Sequence, residues 1–404
     1  MSPQISRTAG PRSPVRGPDL LAETLGHLRV LVGFDTRNPP RAIGTGGIFE
    51  YLRAQLPGFD VQVTDHGAGA VSLLAVRGEP KLLFNVHLDT VPDSPQWSAS
   101  PFELRVTGDR AIGLGACDIK GAAAALLAAA NASDGDMALL FTTDEEGSDP
   151  RCVRTFLDAA RSRVPCPGFA VPAFEAVIVA EPTRCKAVLA HRGIQSVRAR
   201  FQGRAGHASR EQQADDSALH QAVRWSAAAL DYAEVQSNDS FGGLRGMRFN
   251  LGRIEGGIKA NVIAPEAELR FGMRPLPSED MDDLLERLRT LVEPAPAAFE
   301  EAFRGPPLPA DAATAEPRMQ DARMLAEDLD IPVGEAVDFW TEAALFSRAG
   351  YTTFVYGPGD IAQAHSADEW VAMEDLEAVG RTYLRISERG GDSGPIRRAR
   401  VQST

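Results

Sequence analysis

The chain has 404 residues, 44% of them hydrophobic and 24% charged, which is long enough for two domains and sufficient for a sizeable core. Its 55 acidic side chains outnumber its 42 basic ones, and the formal charge of −13 argues against a nucleic-acid partner, whose binding needs clustered Lys and Arg. No apolar run approaches the ~20 residues of a membrane span, and the first residues lack the apolar segment of a secretory signal.

The cysteines and the two ends of the chain give further expectations. No two cysteines form a CxxC pair, so we expect reduced thiols and a cytoplasmic location. The cysteines are Cys117, Cys152, Cys166 and Cys185. Residues 1–18 and 390–404 contain Arg and Pro but no apolar pattern, and we interpret both as disordered tails.

Helical and strand-like segments alternate in the first half of the chain. Helices are predicted at 20–34, 47–56 and 118–132, and strands at 60–66, 70–78, 81–91, 137–142 and 174–183. The strand at 81–91 is an almost continuous apolar run, which is typical of a sheet covered on both faces. The alternation predicts an α/β sandwich with a mixed, largely parallel sheet.

The pattern changes from residue 194 onward. Strands are predicted at 194–206, 247–257 and 266–276, and helices at 217–235 and 278–294. This order suits an inserted α+β domain at 194–302, with a four-stranded sheet that carries its helices on one face. The α/β pattern then returns with a helix at 319–331, a strand at 351–359 and a helix at 373–389. The first domain is therefore predicted to be discontinuous, at 19–193 and 303–389.

Three consecutive acids follow the apolar strand at 137–142. Asp144, Glu145 and Glu146 repel one another, so we expect a positive charge opposite them. Adjacent residues that leave a strand point in different directions. One of the glutamates can therefore bind a metal ion while the other reaches a water molecule beside it.

His87 and Asp89 lie two residues apart in the strand predicted at 81–91, so their side chains should face the same way. An imidazole can bind a metal ion while a carboxylate accepts a hydrogen bond from its other ring nitrogen. Taken alone, a histidine in an apolar strand is more often an ordinary core residue than a metal ligand. The segment GLGACDIKG (113–121) resembles a phosphate loop, but Asp118 at its sixth position would repel a phosphate. Asp118 suits a metal ligand, or else a simple helix N-cap.

Two further candidates follow apolar strands later in the chain. Glu181 ends the strand predicted at 174–183, and His365 follows the strand predicted at 351–359. With His87, Asp118, Glu145 and Glu146 they supply two histidines and four carboxylates. This mixed donor set suits zinc or a similar transition ion better than calcium or magnesium.

Taken together, the motifs resemble those of the co-catalytic zinc amidohydrolases, a family that includes acetylornithine deacetylase, succinyl-diaminopimelate desuccinylase, aminoacylase and related peptidases. The resemblance covers roughly residues 20–388. The motifs, in family order, are HLDTVP (87–92), GLGACDIKGA (113–122), TTDEEGS (142–148), AEPT (180–183), HRG (191–193), GRAGHAS (203–209), GGIKANVIAPEAELRFGMRPLP (256–277) and GPGDIAQAH (357–365). The segment DFWTEAALF (338–346) is similar to the acetylornithine deacetylase branch.

The resemblance implies a catalytic domain that holds two divalent ions, Zn²⁺ or Co²⁺. It assigns one ion to His87, Asp118 and Glu181, and the other to His365, Glu146 and a bridging Asp118. Asp89 would orient His87, and Glu145 would be the general base. Asp144 has no family role and is interpreted as a supporting or solvent-facing group.

The resemblance also implies a lid domain (194–302) that mediates homodimerisation. His207 would reach from the partner's lid domain to stabilise the oxyanion, and Asn261 and Arg274 would help to hold substrate. The family usually has Asp two residues before this arginine, whereas this chain has Gly272. Glu342 would meet the distal end of the substrate side chain, or else be an ordinary surface glutamate.

The activity implied is hydrolysis of N-acetyl-L-citrulline or N-acetyl-L-ornithine to acetate and the free amino acid, in arginine biosynthesis. Alternatives within the family are succinyl-diaminopimelate desuccinylation and dipeptide or carboxypeptidase cleavage. A non-catalytic dimeric binding protein is an alternative from another class, although all the proposed ligands and the base are present. GGDSGP (390–395) is similar to a serine-protease nucleophile loop but lies in a polar tail with no strand around it.

Overall fold

A computed structural model describes residues 19–147, 149–162 and 173–389. The two predicted tails, Cys166 and the GGDSGP segment lie outside these ranges. Within them, none of the helices combines the length and apolar character that crossing a bilayer requires.

Helices and strands alternate along most of the described chain. The α-helices are α1 (Leu20–Val32), α2 (Ile48–Ala54), α3 (Lys120–Ala132), α4 (Cys152–Ser162), α5 (Ala218–Val235), α6 (Met281–Arg289), α7 (Ala315–Asp328), α8 (Ala343–Arg348) and α9 (Met373–Arg389). The strands are β1 (Asp60–Asp65), β2 (Val71–Arg77), β3 (Leu82–His87), β4 (Arg105–Thr107), β5 (Arg110–Ile112), β6 (Met137–Thr142), β7 (Ala176–Val179), β8 (Ile194–Gln202), β9 (Ser240–Phe241), β10 (Leu244–Arg245), β11 (Arg248–Gly256), β12 (Glu266–Arg274), β13 (Ala298–Gly305), β14 (Thr352–Val355) and β15 (Trp370–Ala372).

The larger sheet has the strand order β1-β2-β6-β3-β7-β14. The pairs from β6 to β14 are parallel, whereas β1 and β2 add an antiparallel edge. Alternate residues of β2 enter different cores: Leu73 and Ala75 pack with the side of α1, α3 and α9, and Leu74 and Val76 pack with the side of α4 and α8. A sheet buried on both faces explains the continuous apolar strands, and the predicted α/β sandwich is confirmed.

The second sheet is antiparallel, with the order β11-β12-β8-β13. Its core side is filled by α5 and α6, where Trp225 packs 4.9 Å from Phe271 and donates to the carbonyl of Leu288 at 2.8 Å. The predicted four-stranded sheet is thus confirmed, although β13 was missed by the sequence analysis. Acidic and exposed side chains along β13 hide its alternation. This strand extends past residue 302, and the division into domains stays a prediction.

Parallel strands place their carboxyl ends at one edge of the larger sheet. His87 ends β3 opposite Thr142 at the end of β6, and Asn85 is level with Val179 at the end of β7. Open α/β sheets place their ligands at this edge. The strand predicted at 81–91 ends at His87, so Asp89 lies in the loop beyond it.

Candidate metal centre

Two sets of side chains with metal-ligand chemistry meet at this edge. One contains His87, Asp118 and Glu181, and the other contains Asp118, Glu146 and His365. In each set the ligand atoms lie within 4.8 Å of one another. The structure therefore brings together all five residues that the sequence analysis predicted to bind metal.

Asp118 belongs to both sets because its two oxygens face different histidines. Oδ1 lies 3.2 Å from Nε2 of His87, and Oδ2 lies 3.2 Å from Nε2 of His365. Nε2 of His365 is also 3.0 Å from Oε1 of Glu146, and Nε2 of His87 is 3.7 Å from Oε1 of Glu181. A carboxylate with one oxygen directed at each set has the arrangement of a bridging ligand.

The alternative interpretation of Asp118 as a helix N-cap is wrong. Helix α3 begins at Lys120, and the capping position is Ile119, which provides no side-chain hydrogen bond. The carboxylate of Asp118 instead points toward the two histidines.

Asp89 supports this centre from a fully buried position. Its Oδ2 accepts hydrogen bonds from the side-chain amide of Asn38 at 2.8 Å and from the backbone N–H of Glu146 at 3.0 Å. Nδ1 of His87 lies 3.0 Å from the carbonyl oxygen and 3.4 Å from the carboxylate of Asp89. A donor at Nδ1 leaves Nε2 free to act as a ligand. Asn38 was missed by the sequence analysis; its one signal was its place before two prolines.

Burial and the close approach of charged neighbours shift the pKa values of the side chains in these two sets. Burial raises the pKa of Glu181 to about 7, although the neighbouring His87 opposes this shift. Burial likewise raises the pKa of Glu145 well above its usual range. Burial opposes the charged form of Asp118 too, but hydrogen bonds from His365 and His87 hold its pKa below the usual value. Hydrogen bonds to Asp118 and Glu146 raise the pKa of His365 to about 10.

These residues suit divalent cations. Crowding and burial disfavour the ionised form of these carboxylates. A bound cation would stabilise that form, because it places a positive charge opposite them. Imidazole and carboxylate together form a donor set that zinc-like ions prefer, and the remaining nitrogen of His87 already has an acceptor.

Two other acids near the sheet edge have different roles. Asp144 is fully buried, and its Oδ2 accepts the backbone N–H of Cys152 at 2.9 Å, at the start of α4. The solvent-facing interpretation of Asp144 is therefore wrong. Glu342 is 1% exposed and accepts a hydrogen bond from the hydroxyl of Thr142 at 3.0 Å. The interpretation as a surface glutamate is also wrong, and burial raises the pKa of Glu342 to about 8.

Three further predicted site residues, His207, Asn261 and Arg274, belong to the second sheet and its loops. His207 and Asn261 are both exposed and occupy neighbouring loops, joined by the hydrogen bond from the N–H of Ala208 to the carbonyl of Asn261 at 3.1 Å. Arg274 ends β12, where burial lowers the pKa of its partly buried guanidinium. A Cβ at Gly272 would meet only the carbonyl oxygen of Gln195, at 3.8 Å, so packing does not exclude the family's aspartate. The roles of these residues stay predictions.

A mixed α/β sandwich that gathers His and carboxylate side chains at the carboxyl edge of its sheet has the arrangement of a metal-dependent hydrolase. The chain belongs to peptidase family M20/M25/M40, whose model matches residues 83–389. It is accordingly a metal-dependent amidohydrolase.

Two curated relatives are similar over most of their length. The chain is 64% identical over 370 residues to N-acetyl-L-citrulline deacetylase of Xanthomonas campestris pv. campestris, covering 91% of this chain and 98% of the relative. It is 30% identical over 339 residues to acetylornithine deacetylase of Edwardsiella ictaluri, covering 80% of this chain and 84% of that relative.

Solved structures share the fold at lower identity. Aminopeptidase PepT of Bacillus cereus matches with a TM-score of 0.68 and 19% identity, covering 92% of this chain and 99% of that one. The YXEP protein of Bacillus subtilis, a dinuclear metal-binding peptidase, matches with a TM-score of 0.60 and 15% identity. The match covers 91% of this chain and 97% of that one.

Proposed function

We propose that the chain hydrolyses the acetyl amide of N-acetyl-L-citrulline, giving acetate and free citrulline for arginine biosynthesis in the cytoplasm. The observation that carries the proposal is the 64% identity to N-acetyl-L-citrulline deacetylase over 98% of that relative. N-acetyl-L-ornithine is the second candidate, because acetylornithine deacetylases match at 30% identity. The substrates differ at the far end: a neutral ureido group in one and an ammonium in the other.

We further propose that the chain binds two divalent ions, Zn²⁺ or Co²⁺. His87, Asp118 and Glu181 would hold one, and Asp118, Glu146 and His365 the other. When bound, such ions polarise a carbonyl and lower the pKa of a water molecule. Asp89 keeps His87 in the required tautomer and, through two backbone N–H groups, fixes the loop that carries Glu145 and Glu146.

Glu145 is the proposed general base and acid. A carboxylate whose pKa is raised by burial accepts a proton more readily near neutral pH. It would take the proton of the attacking water and then give it to the nitrogen of the leaving amine. His207 would donate a hydrogen bond to the oxyanion, an interaction worth ~3 kcal/mol when the donor is preorganised. Asn261, Arg274 and Glu342 are proposed to hold or orient the substrate.

A homodimer through the lid domain is part of the proposal. β11 is an outer strand of the second sheet, and an exposed outer strand is a template for pairing with another chain. Beside it, Val223 and Leu230 on α5 and Ile254 on β11 are 56%, 49% and 46% exposed. Such apolar side chains next to an open strand suit an isologous contact between two copies. This contact would let His207 of each copy serve the other copy's centre.

The test is a comparison of kcat/KM for N-acetyl-L-citrulline, N-acetyl-L-ornithine and N-succinyl-diaminopimelate. The Co²⁺-loaded protein is used, and the rate at which acetate or succinate is released is measured. We expect the citrulline derivative to be preferred, with the Glu145→Gln variant as the inactive control. A higher value for either of the other compounds would overturn the substrate assignment. Protein that binds two ions and hydrolyses none of the three would favour a non-catalytic binding protein.

A further inference from the structure

A buried glutamate lies behind the centre and has no role in the chemistry proposed above. Glu369 is 2% exposed, and its carboxylate faces the loop that leads to Asp118. Oε1 accepts the backbone N–H groups of Cys117 and Asp118, each at 2.9 Å, and Oε2 accepts the N–H of Gly115 at 3.0 Å. Three backbone donors on one carboxylate make charge-assisted hydrogen bonds, which are about twice as strong as neutral ones.

Glu369 also joins two of the three segments that supply the second ligand set, those of Asp118 and His365. It follows His365 by four residues, and its own carbonyl accepts the N–H of Gly113 at 3.0 Å. Immediately after it, Trp370 in β15 pairs with Ile112 in β5. The loop of Asp118 follows β5, and the loop of His365 precedes its antiparallel partner β15. The side chain of Glu369 connects these two loops by hydrogen bonds beyond the paired strands.

His365 needs such support more than His87 does. The side chain of His365 is 50% exposed, whereas that of His87 is 2% exposed and lies at the end of a buried strand. His365 also has a positive φ of 56°, which is uncommon for a residue other than glycine. Packing therefore contributes less to the position of His365, and the loop geometry contributes more.

We propose that Glu369 is a positioning residue that sets the separation between Asp118 and His365, and thereby the affinity of the centre for its second divalent ion. The inference rests on the ligand sets proposed above. It adds a positioning residue to that site, because Glu369 acts through the backbone of the Asp118 loop and is not itself a proposed ligand.

The variant Glu369→Gln tests the role with little change of shape. It removes the charge and places an amide NH₂ group against at least one of the three backbone donors. Asp368→Asn is the matched control: it neutralises the adjacent carboxylate of the same loop, whose partners are Ser98 at 2.8 Å and Arg105 at 2.6 Å. Asp368 makes no described hydrogen bond to the Asp118 loop.

Metal-free, full-length protein would be titrated with Co²⁺ by calorimetry and by visible absorption. Wild type and Asp368→Asn should bind two ions with similar affinities. Glu369→Gln should bind the first ion nearly normally and the second about 10–100-fold more weakly, the range seen when a residue that orients a metal ligand is changed. Excess Co²⁺ should restore its kcat, while KM stays unchanged.

Several outcomes would contradict the proposal. Unchanged affinity for both ions in Glu369→Gln would overturn it, as would equal weakening of both sites with a lower melting temperature of the metal-free chain. Glu369→Asp, which withdraws the carboxylate but keeps its charge, should show the same selective loss if the glutamine variant does not fold. Failure of both to fold would assign Glu369 to the fold alone. Wild type that binds fewer than two Co²⁺ would overturn the ligand sets as well, whereas inactivity toward N-acetyl-L-citrulline would overturn only the substrate.

Discussion

The carboxylate of Asp89 accepts a hydrogen bond from the backbone N–H of Glu146 at 3.0 Å. The same carboxylate lies 3.4 Å from Nδ1 of His87 and accepts the N–H of Glu145 at 3.3 Å. One buried side chain therefore contacts a proposed ligand of the first set and holds the loop that carries a proposed ligand of the second set and the proposed base.

Replacing Asp89 by Asn should disturb both sets. The side-chain amide would no longer accept all the hydrogen bonds that now converge there, so we expect metal affinity or kcat to fall about 10–100-fold. Bound Co²⁺ and acetate release measure the effect. Asp93→Asn is the control, because Asp93 is a nearby partner of Arg37 at 2.6 Å. Wild-type affinity and turnover in the Asp89 variant would contradict this role.

Glu145→Gln should retain two ions and lose turnover by a factor of about 10²–10⁴, since an amide cannot take the proton from water. Elemental analysis and single-turnover kinetics separate these two effects. Glu103→Gln, at an exposed position, is the control. A residual rate above about a tenth of wild type would mean that another group is the base.

His87→Ala and His365→Ala should each leave about one Co²⁺ per chain, because each removes a ligand of a different set. Asp118→Ala should lower occupancy of both. Stoichiometry by elemental analysis gives the answer, with exposed His220→Ala as the control. Two bound ions in all three ligand variants would show that the ions lie elsewhere.

Metal binding should release protons and should strengthen as pH rises. In the metal-free chain the pKa of Glu181 is about 7 and that of His365 about 10, both above their ordinary values of 4.5 and 6.5. His365 therefore holds a proton at neutral pH and Glu181 is about half protonated, and an incoming ion must displace these protons. Calorimetry in buffers of different ionisation enthalpy, between about pH 6 and pH 8, measures the release. Affinity that is constant over this range would be inconsistent with these ligands.

Mixing two inactive variants tests the proposed action of His207 on the partner's centre. A dimer of Glu145→Gln with His207→Ala has one site that retains its own Glu145 and receives an intact His207 from the other chain. Random exchange should recover about a quarter of wild-type kcat, since half the dimers are mixed and each has one complete site. Mixtures that stay as inactive as their parents would show that His207 acts within its own chain or not at all.

The sequence predicted which side chains lie together as candidate metal ligands, because their chemistry is local. His87 ends one apolar strand, Glu146 and Glu181 follow two others, and polar groups at strand ends stand out against the buried pattern. The same argument gave most helices and strands with small errors at their ends. It missed β13, whose exposed acidic side chains obscure the alternation, and it extended the strand at 81–91 past His87. It also missed two helices and five strands of two or three residues, namely α4, α8, β4, β5, β9, β10 and β15.

Residue type and spacing could not separate the acids by role. Asp144 is next to the proposed base, yet it caps α4, and Glu342 is buried below Thr142 rather than exposed. Asn38 was missed because its partner, Asp89, is 51 positions away, and Glu369 because Asp118 is 251 positions away. Isolated polar residues with distant partners carry no periodic signal.

By itself the sequence determined the fold class and which side chains have metal-ligand chemistry, because hydrophobic periodicity and residue type are properties of short segments. Only the tertiary structure decided which of the acids converge. The parallel register of β3, β6 and β7 brings their carboxyl ends together, and the hydrogen bonds of Asp89 and Glu369 then fix the loops that follow. Contacts between residues so far apart in the sequence form only when the whole sheet is assembled.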